Sequence, residues 1–298
     1  MKENVKALVT MAIGGRYLAD WKKFCEPGWR RYADRFGYDL IVSEEPFDDS
    51  ERARKRNPSW QKCLSASREF SPRYERIVWL DADIMINPIA PDITADVPEE
   101  KVGAAPVTFF HRAHLTRCFK IWPTSVFHTS VAEYTPREYY RDYGLPGDVD
   151  KVIEGGVLVL SPRFHRSLLE HVYYDYEEKE GGGREWHMEM RPLSYELYNA
   201  GMVVELDPRF NVLWPMEEIL RYPFLLDPPA NTRRGLLAAV RAKIERKLRP
   251  RLLHGLRATC LNAVYQSSYF CHFTGMKTDE MAMIKTKPTA WWDVICDS

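Results

Sequence analysis

The stretch Arg76–Pro88, RIVWLDADIMINP, governs how the rest of the chain is read. Ile77-Val78-Trp79-Leu80 is an uninterrupted apolar run of the kind that forms a strand buried on both faces of a sheet. It runs directly into two carboxylates, Asp81 and Asp83, and then into a second apolar triplet, Ile84-Met85-Ile86. In open α/β sheets ligands bind beyond the carboxyl ends of the strands. Two carboxylates there make an oxygen-rich site suited to a hard divalent cation, whose shell is normally completed by substrate phosphate oxygens. On a regular strand the i, i+2 spacing places both side chains on one face. A pair of solvated loop aspartates is the plainer alternative, and the apolar residues on either side argue against it.

Outward from this segment, strand-like and helix-like runs alternate. Strands are predicted at Val5–Thr10, Tyr38–Val42, Val102–Val107, Gly156–Leu160, Met202–Leu206 and Tyr269–Phe273. Helices are predicted at Trp29–Phe36 with Gly37 as C-cap, Ser59–Phe70 with Ser59 as N-cap, Phe164–Tyr176 and Pro192–Asn199. Ile13-Gly14-Gly15 reads as a turn and Glu44–Pro58 as a loop. This alternation indicates an α/β fold, with a Rossmann-like, mostly parallel sheet flanked by helices. Two regions interrupt it. Residues 109–150 are rich in aromatics, His and Pro without clear periodicity, and residues 216–266 carry Pro223, Pro228 and Pro229 before a basic helical stretch. With no Gly/Ser-rich spacer, both read as insertions on a single domain of residues 1–298.

The 298 residues are 45% hydrophobic and 13% aromatic, enough to build a sizeable core and to exclude disorder as the main state. Forty-two basic and 42 acidic residues cancel, which argues against a generic nucleic-acid binder. The cancellation is uneven. Residues 231–260 hold nine Lys/Arg against one acid, Glu245, leaving 33 basic and 41 acidic residues elsewhere. Leu236, Leu237, Val240, Ile244, Leu248, Leu252 and Leu253 recur there at mostly helical spacing. Residues 231–257 are therefore expected either to meet anionic lipid headgroups or an anionic acceptor, or to be a solvated face over the core. Val5–Ile13 is too short, and too interrupted by Lys6, for a signal peptide, and no apolar run reaches the ~18 residues of a membrane span. A cytoplasmic location, peripheral to a membrane at most, is the expectation. The six cysteines are scattered without a CxxC pair, so neither a zinc site nor a disulfide framework is expected.

Seven segments occur in a telling order: VTMAIGGRY (9–17), SWQKCLSASREF (59–70), RIVWLDADIMINP (76–88), EGGVLVLSP (154–162), HMEMRPLSYEL (187–197), DPRFNVLW (207–214) and CHFTGMK (271–277). Together they resemble the nucleotide-sugar glycosyltransferases of the GT-A fold, in particular glycosyltransferase family 8 and its relatives. The resemblance implies a metal-dependent enzyme that moves a sugar from a UDP-sugar to a hydroxyl of a glycan, glycolipid or protein acceptor, with retention of anomeric configuration. It implies that Asp81, Asp83 and His272 hold Mn²⁺ or Mg²⁺ against the donor diphosphate. Backbone groups of Thr10, Met11 and Ala12 would read the uracil edge, with Tyr17 against the base. Lys62 would lie near the donor sugar or phosphates. Ala82, Gly275 and Lys277 would complete the donor site, the turn Glu154-Gly155-Gly156 would contact the donor sugar, Glu189 would lie near the anomeric carbon, and Glu154 and Glu189 are the catalytic candidates. The chain departs from the family pattern in three places. Glu154 replaces an amide, Met190 replaces a Gln, and Lys277 lies five residues after the histidine instead of six.

The chemistry is coherent with these residue types. A cation there neutralises the diphosphate and stabilises the departing nucleoside diphosphate. An imidazole ligand suits Mn²⁺ better than Mg²⁺. An inverting enzyme needs a base on the acceptor side, which Glu154 or Glu189 would supply. A retaining one needs a carboxylate nucleophile or a front-face path, and residue types do not choose between these. A sugar nucleotidyltransferase would show a Gly-rich basic loop after the first strand, where only Gly14-Gly15-Arg16 stands. A non-catalytic nucleotide-sugar or glycan-binding module would keep the pocket without the metal ligands. A glycosidase fits poorly, since its two carboxyls must flank a sugar. Trp122, Trp186 and Trp214 are either sugar-stacking or core residues. His111, His114, His165 and His171 form no metal motif and read as surface or acceptor-cleft histidines.

Overall fold

A computed structural model of the chain describes residues 5–107, 135–178, 188–225, 253–275 and 277–285. Most of the basic segment 231–257, much of 109–150, and His111, His114, Trp122 and Trp186 lie outside the described residues.

The six-stranded sheet is built from β1 (Lys6–Met11), β2 (Tyr38–Ser43), β3 (Arg76–Leu80), β5 (Val102–Pro106), β6 (Ile153–Leu160) and β7 (Val203–Glu205), in the order β2-β1-β3-β6-β5-β7. Only β6 runs against the others, pairing antiparallel with both β3 and β5. The sheet is thus mostly parallel and flanked by helices, as the alternating pattern predicts. Side chains alternate between two hydrophobic layers, as a period of two requires. Leu8, Val78 and Leu80 face one layer; Ala7, Val9, Ile77 and Trp79 face the other. The first layer is closed by α1 (Gly15–Phe24) and α2 (Glu26–Phe36), whose Trp21 and Trp29 are fully buried and pack edge to face. The second is closed by a 3₁₀ segment, Pro58–Leu64, and by α5 (Pro162–Asp175) and α6 (Met190–Asn199). Each such buried large side chain contributes roughly 1.5–3 kcal/mol.

A second, three-stranded sheet, β4 (Ile84–Ile86), β9 (Phe270–His272) and β8 (Val212–Leu213), lies across the end of β3. β4 pairs antiparallel with β9, Ile84 opposite His272. This pairing delivers a residue almost two hundred positions away to the acidic turn.

The helix predicted at Ser59–Phe70 is instead the shorter 3₁₀ segment, capped by Asn57, whose Oδ1 accepts from Ser59 N at 3.0 Å. Pro58 starts the turn with its fixed φ. Several helices escape the sequence pattern, among them one in the predicted loop Glu44–Pro58. α1 begins at a glycine and buries Trp21, with Tyr17, Leu18 and Phe24 packed half-buried against the same layer. In the aperiodic region 109–150, α4 (Pro136–Tyr143) is nucleated by a Thr135–Glu138 capping box and buries three tyrosines. α3 (Glu51–Arg54), α7 (Trp214–Arg221), a helix α8 at 253–267 and α9 (Thr278–Met281) complete the described helices. None of the described helices is long and apolar enough to cross a membrane. The four described cysteines are free.

Candidate active site

A cleft of about 480 Å³ opens at the carboxyl ends of β1 and β3 and the start of β6. Its charged floor is Lys62, Asp81, Asp83, Glu154, Glu189 and His272; Met11, Ile13, Tyr17, Trp79, Met188, Met190 and Leu213 form apolar walls.

Asp81 and Asp83 do not sit on a regular strand. β3 ends at Leu80, and the pair occupies the turn into β4. Both still face the cleft, because separate contacts hold each one. Trp79 Nε1 donates to Asp81 Oδ1 at 2.8 Å. Gly275 N donates to Asp83 Oδ2 at 2.9 Å, and the Asp83 carbonyl accepts from Phe273 N at 2.9 Å. Gly275 adopts φ +86°, a left-handed conformation that suits glycine. It therefore acts here on Asp83.

His272 is buried, with Nε2 3.0 Å from Asp83 Oδ1 and 4.0 Å from Asp81 Oδ2. Its Nδ1 is 3.0 Å from Asn211 Oδ1, so the amide fixes the ring with Nε2 toward the carboxylates. Burial alone would lower the imidazole pKa; the neighbouring Asp83, then Asp81, outweigh it and raise it. Gly156 makes room for the ring: a Cβ there would lie 2.6 Å from His272 Cε1 and 3.3 Å from Asp81 Oδ2.

Lys62 is buried, and its Nζ reaches Glu189 Oε1 at 2.8 Å, Asp81 Oδ1 at 3.2 Å and the Gly155 carbonyl at 3.0 Å. Burial disfavours its charge, but Asp81 and Glu189 more than compensate and hold its pKa above the usual lysine value. Glu189 is saturated: one oxygen takes Lys62 and the other takes the Ser59 hydroxyl. Glu154 is different. It is equally buried, its Oε1 makes no hydrogen bond among the described residues, and burial pushes its pKa up to about 7 against the pull of His272 and Lys62. The two acids named as catalytic candidates thus occupy unlike environments.

The other predicted positions divide. Met11, Tyr17, Ala82, Gly155 and Gly156 line the cleft. Burial, followed by Asp83 and Asp81, raises the Tyr17 pKa, which places its hydroxyl in the field of the acidic turn. Thr10 and Ala12 are fully buried and are not among the lining residues, and the Ala12 N–H is spent on the Ser43 carbonyl at 2.9 Å. Lys277 is also outside the lining, its Nζ 3.9 Å from Glu280 Oε2. Trp214 is fully buried core. His165 is buried, accepting from Ser161 N at 2.8 Å, and His171 lies on the surface beside Asp175 at 2.6 Å. Arg257, counted in the basic segment, is turned inward: its Nη1 is 2.7 Å from both Glu218 Oε1 and Glu280 Oε1. Sequence reasoning missed Asn211, Trp79 and Ser59 as supports, and Ile13, Met188 and Leu213 as walls. Asn211 and Trp79 do fall inside the quoted segments 207–214 and 76–88.

Among the described residues no group of three His, Cys, Asp or Glu side chains is arranged to hold a metal ion. Instead Asp83 contacts His272 directly and Asp81 leans on Lys62. The donor set itself, two carboxylates and an imidazole whose far nitrogen is held by an amide, is of the right chemistry for a divalent transition metal.

In its fold the chain is similar to WbbM, a bifunctional glycosyltransferase solved in the apo state. The TM-score is 0.54 at 11% identity, over 99% of this chain and 51% of that one, so this chain spans about half of WbbM. A glycosyltransferase involved in glycosylation of the major capsid of PBCV-1 also matches, with TM-score 0.46 and 14% identity over 93% of this chain and 98% of that one. No family model and no curated protein sequence matches. The likeness to WbbM is one of fold.

Proposed function

We propose that the protein is a metal-dependent glycosyltransferase that moves a sugar from a UDP-sugar to the hydroxyl of a glycan, glycolipid or protein acceptor, with retention of configuration. The observation that carries this reading is the charge balance of the cleft. Among the described residues that line the cleft, four carboxyl groups, Asp81, Asp83, Glu154 and Glu189, stand against two counter-charges, Lys62 and His272. A diphosphate entering such a site adds two or more negative charges, and desolvated like charges at a few ångströms repel strongly. A divalent cation resolves this, and Asp81, Asp83 and His272 are the residues to hold it, exchanging the direct Asp83–His272 contact for a shared ion. When bound, the cation neutralises the diphosphate and the charge that develops on the departing nucleoside diphosphate. The imidazole favours Mn²⁺ over Mg²⁺.

The protein's own residues do the rest. Lys62, locked by Glu189 and Gly155, presents a fixed ammonium to the departing phosphate. Tyr17, Met11 and Ile13 supply an apolar wall for the base. Glu189, with both oxygens engaged, positions Lys62. The fold it shares with WbbM, itself a glycosyltransferase, agrees with this reading. The test is UDP-sugar hydrolysis with added Mn²⁺. Activity lost in Asp83→Ala, with thermal unfolding retained, supports the proposal; activity unchanged by that substitution overturns it. An NMR spectrum of a product with inverted anomeric configuration would contradict retention.

A further inference from the structure

We propose that Glu154 selects the donor sugar: the cleft takes an uncharged glycosyl group that presents a hydroxyl to this carboxylate and rejects a glycosyl group carrying a carboxylate of its own. This rests on the nucleotide-sugar reading above and deepens it to a substrate class.

The sheet order supplies the placement. β1, β3 and β6 are consecutive neighbours. The apolar wall of Met11, Ile13 and Tyr17 lies at the end of β1, the acidic turn at the end of β3, and Glu154 on β6. A nucleoside diphosphate sugar laid across them puts its base over β1, its phosphates over β3 and its sugar over β6. Glu154 therefore faces the sugar.

Burying a polar oxygen without a partner costs about 1–3 kcal/mol. Glu154 Oε1 is buried and has no such partner among the described residues, whereas both oxygens of the neighbouring Glu189 are taken. Gly155 and Gly156, the next two residues, add no side chain of their own there, and the room beside Gly156 is taken by the His272 ring. An ionised carboxylate oxygen only accepts hydrogen bonds. Its complement is a hydroxyl or another N–H or O–H donor. A hexuronate would instead bring a fifth carboxylate next to Glu154, Asp81 and Glu189, with Lys62 already shared between two of them. Like-charge juxtaposition of this kind costs several kcal/mol.

The experiment is calorimetric binding of UDP, UDP-glucose, UDP-galactose and UDP-glucuronate to the full chain with Mn²⁺ at pH 8, repeated with the near-isosteric Glu154→Gln. UDP-glucuronate is expected to bind at least about tenfold more weakly than the better of the two hexose donors. In Glu154→Gln that gap should close to within about threefold, while the loss of one cleft charge shifts UDP, which has no sugar, and the hexose donors alike. UDP-glucuronate binding the wild type as tightly as the hexose donors overturns the inference without need of the variant. A gap that persists in a folded Glu154→Gln also overturns it. In both cases UDP binding is intact and the nucleotide reading stands. Absence of UDP binding altogether overturns that reading, and the sugar inference with it.

Discussion

Gly156 and His272 are packed so closely that a single methyl group on the glycine would stand 2.6 Å from the imidazole Cε1 and 2.8 Å from Nδ1. The glycine is thus a spatial requirement of the histidine, and through it of the Asp83–His272 contact. Gly156→Ala should displace the ring. UDP binding in the presence of Mn²⁺ should fall by about tenfold or more, with an overpacking cost of about 1–3 kcal/mol in urea unfolding. Gly155→Ala is the control. Its Cβ would meet Glu189 Oε1 at 3.5 Å and Lys62 Nζ at 3.6 Å, ordinary contact distances, and it should bind nearly as the wild type does.

Lys62 is the buried counter-charge of two carboxylates. Lys62→Met leaves Asp81 and Glu189 without it and should destabilise the fold by about 3–5 kcal/mol. Glu189→Gln should cost distinctly less. Its amide still accepts from Lys62 and can donate to the Ser59 hydroxyl, and Asp81 remains as the ion-pair partner. Equal losses in the two variants, measured by urea unfolding, would show that Glu189 does more than position the lysine.

Arg257 bridges Glu218 and Glu280, both buried, and also donates to the Leu225 carbonyl at 3.0 Å. Arg257→Met should lower stability by about 3–5 kcal/mol, because two carboxylates lose their partner. The triple variant with Glu218→Gln and Glu280→Gln should recover much of that loss. If Arg257→Met instead weakens binding to anionic vesicles at unchanged stability, the residue belongs to a surface, and the inward assignment fails.

His165 fixes a pH window. Burial lowers its pKa to about 4, with the Glu100 backbone opposing the shift. In the unfolded chain the value is about 6.5. Between these values the unfolded state binds the extra proton, so stability rises with pH across the window and is complete above it. Acidification from pH 6.5 to pH 4 should therefore remove about 3 kcal/mol through this residue. Urea unfolding at several pH values should show a shallower slope in His165→Gln. An unchanged slope would place the acid sensitivity elsewhere.

Much of the central sheet is legible in the sequence, because buried strands carry uninterrupted apolar runs. Ala7–Val9, Ile77–Leu80 and Val157–Leu160, inside β1, β3 and β6, show this plainly. The acidic turn is legible for the same reason, since Asp81 and Asp83 interrupt an otherwise apolar stretch. What pattern alone cannot supply is convergence. His272 meets Asp83 only through the β4–β9 pairing, and Glu189 reaches Lys62 from α6's N-terminus, across 127 positions. Periodicity carries no information on contacts at that separation. It also says nothing of which acid is saturated, and so could not separate Glu154 from Glu189. Arg257 misled for a related reason: a run of like charges reads as a surface, whereas two acids far away in sequence draw this one inward.

The most direct test of the central claim is a calorimetric titration of UDP into the protein, in Mn²⁺ and again in excess EDTA. Binding that is strong with the ion, at least about a hundredfold weaker without it, and absent in Asp83→Ala is the predicted result. No binding under either condition, or equal affinity with and without the ion, would contradict it.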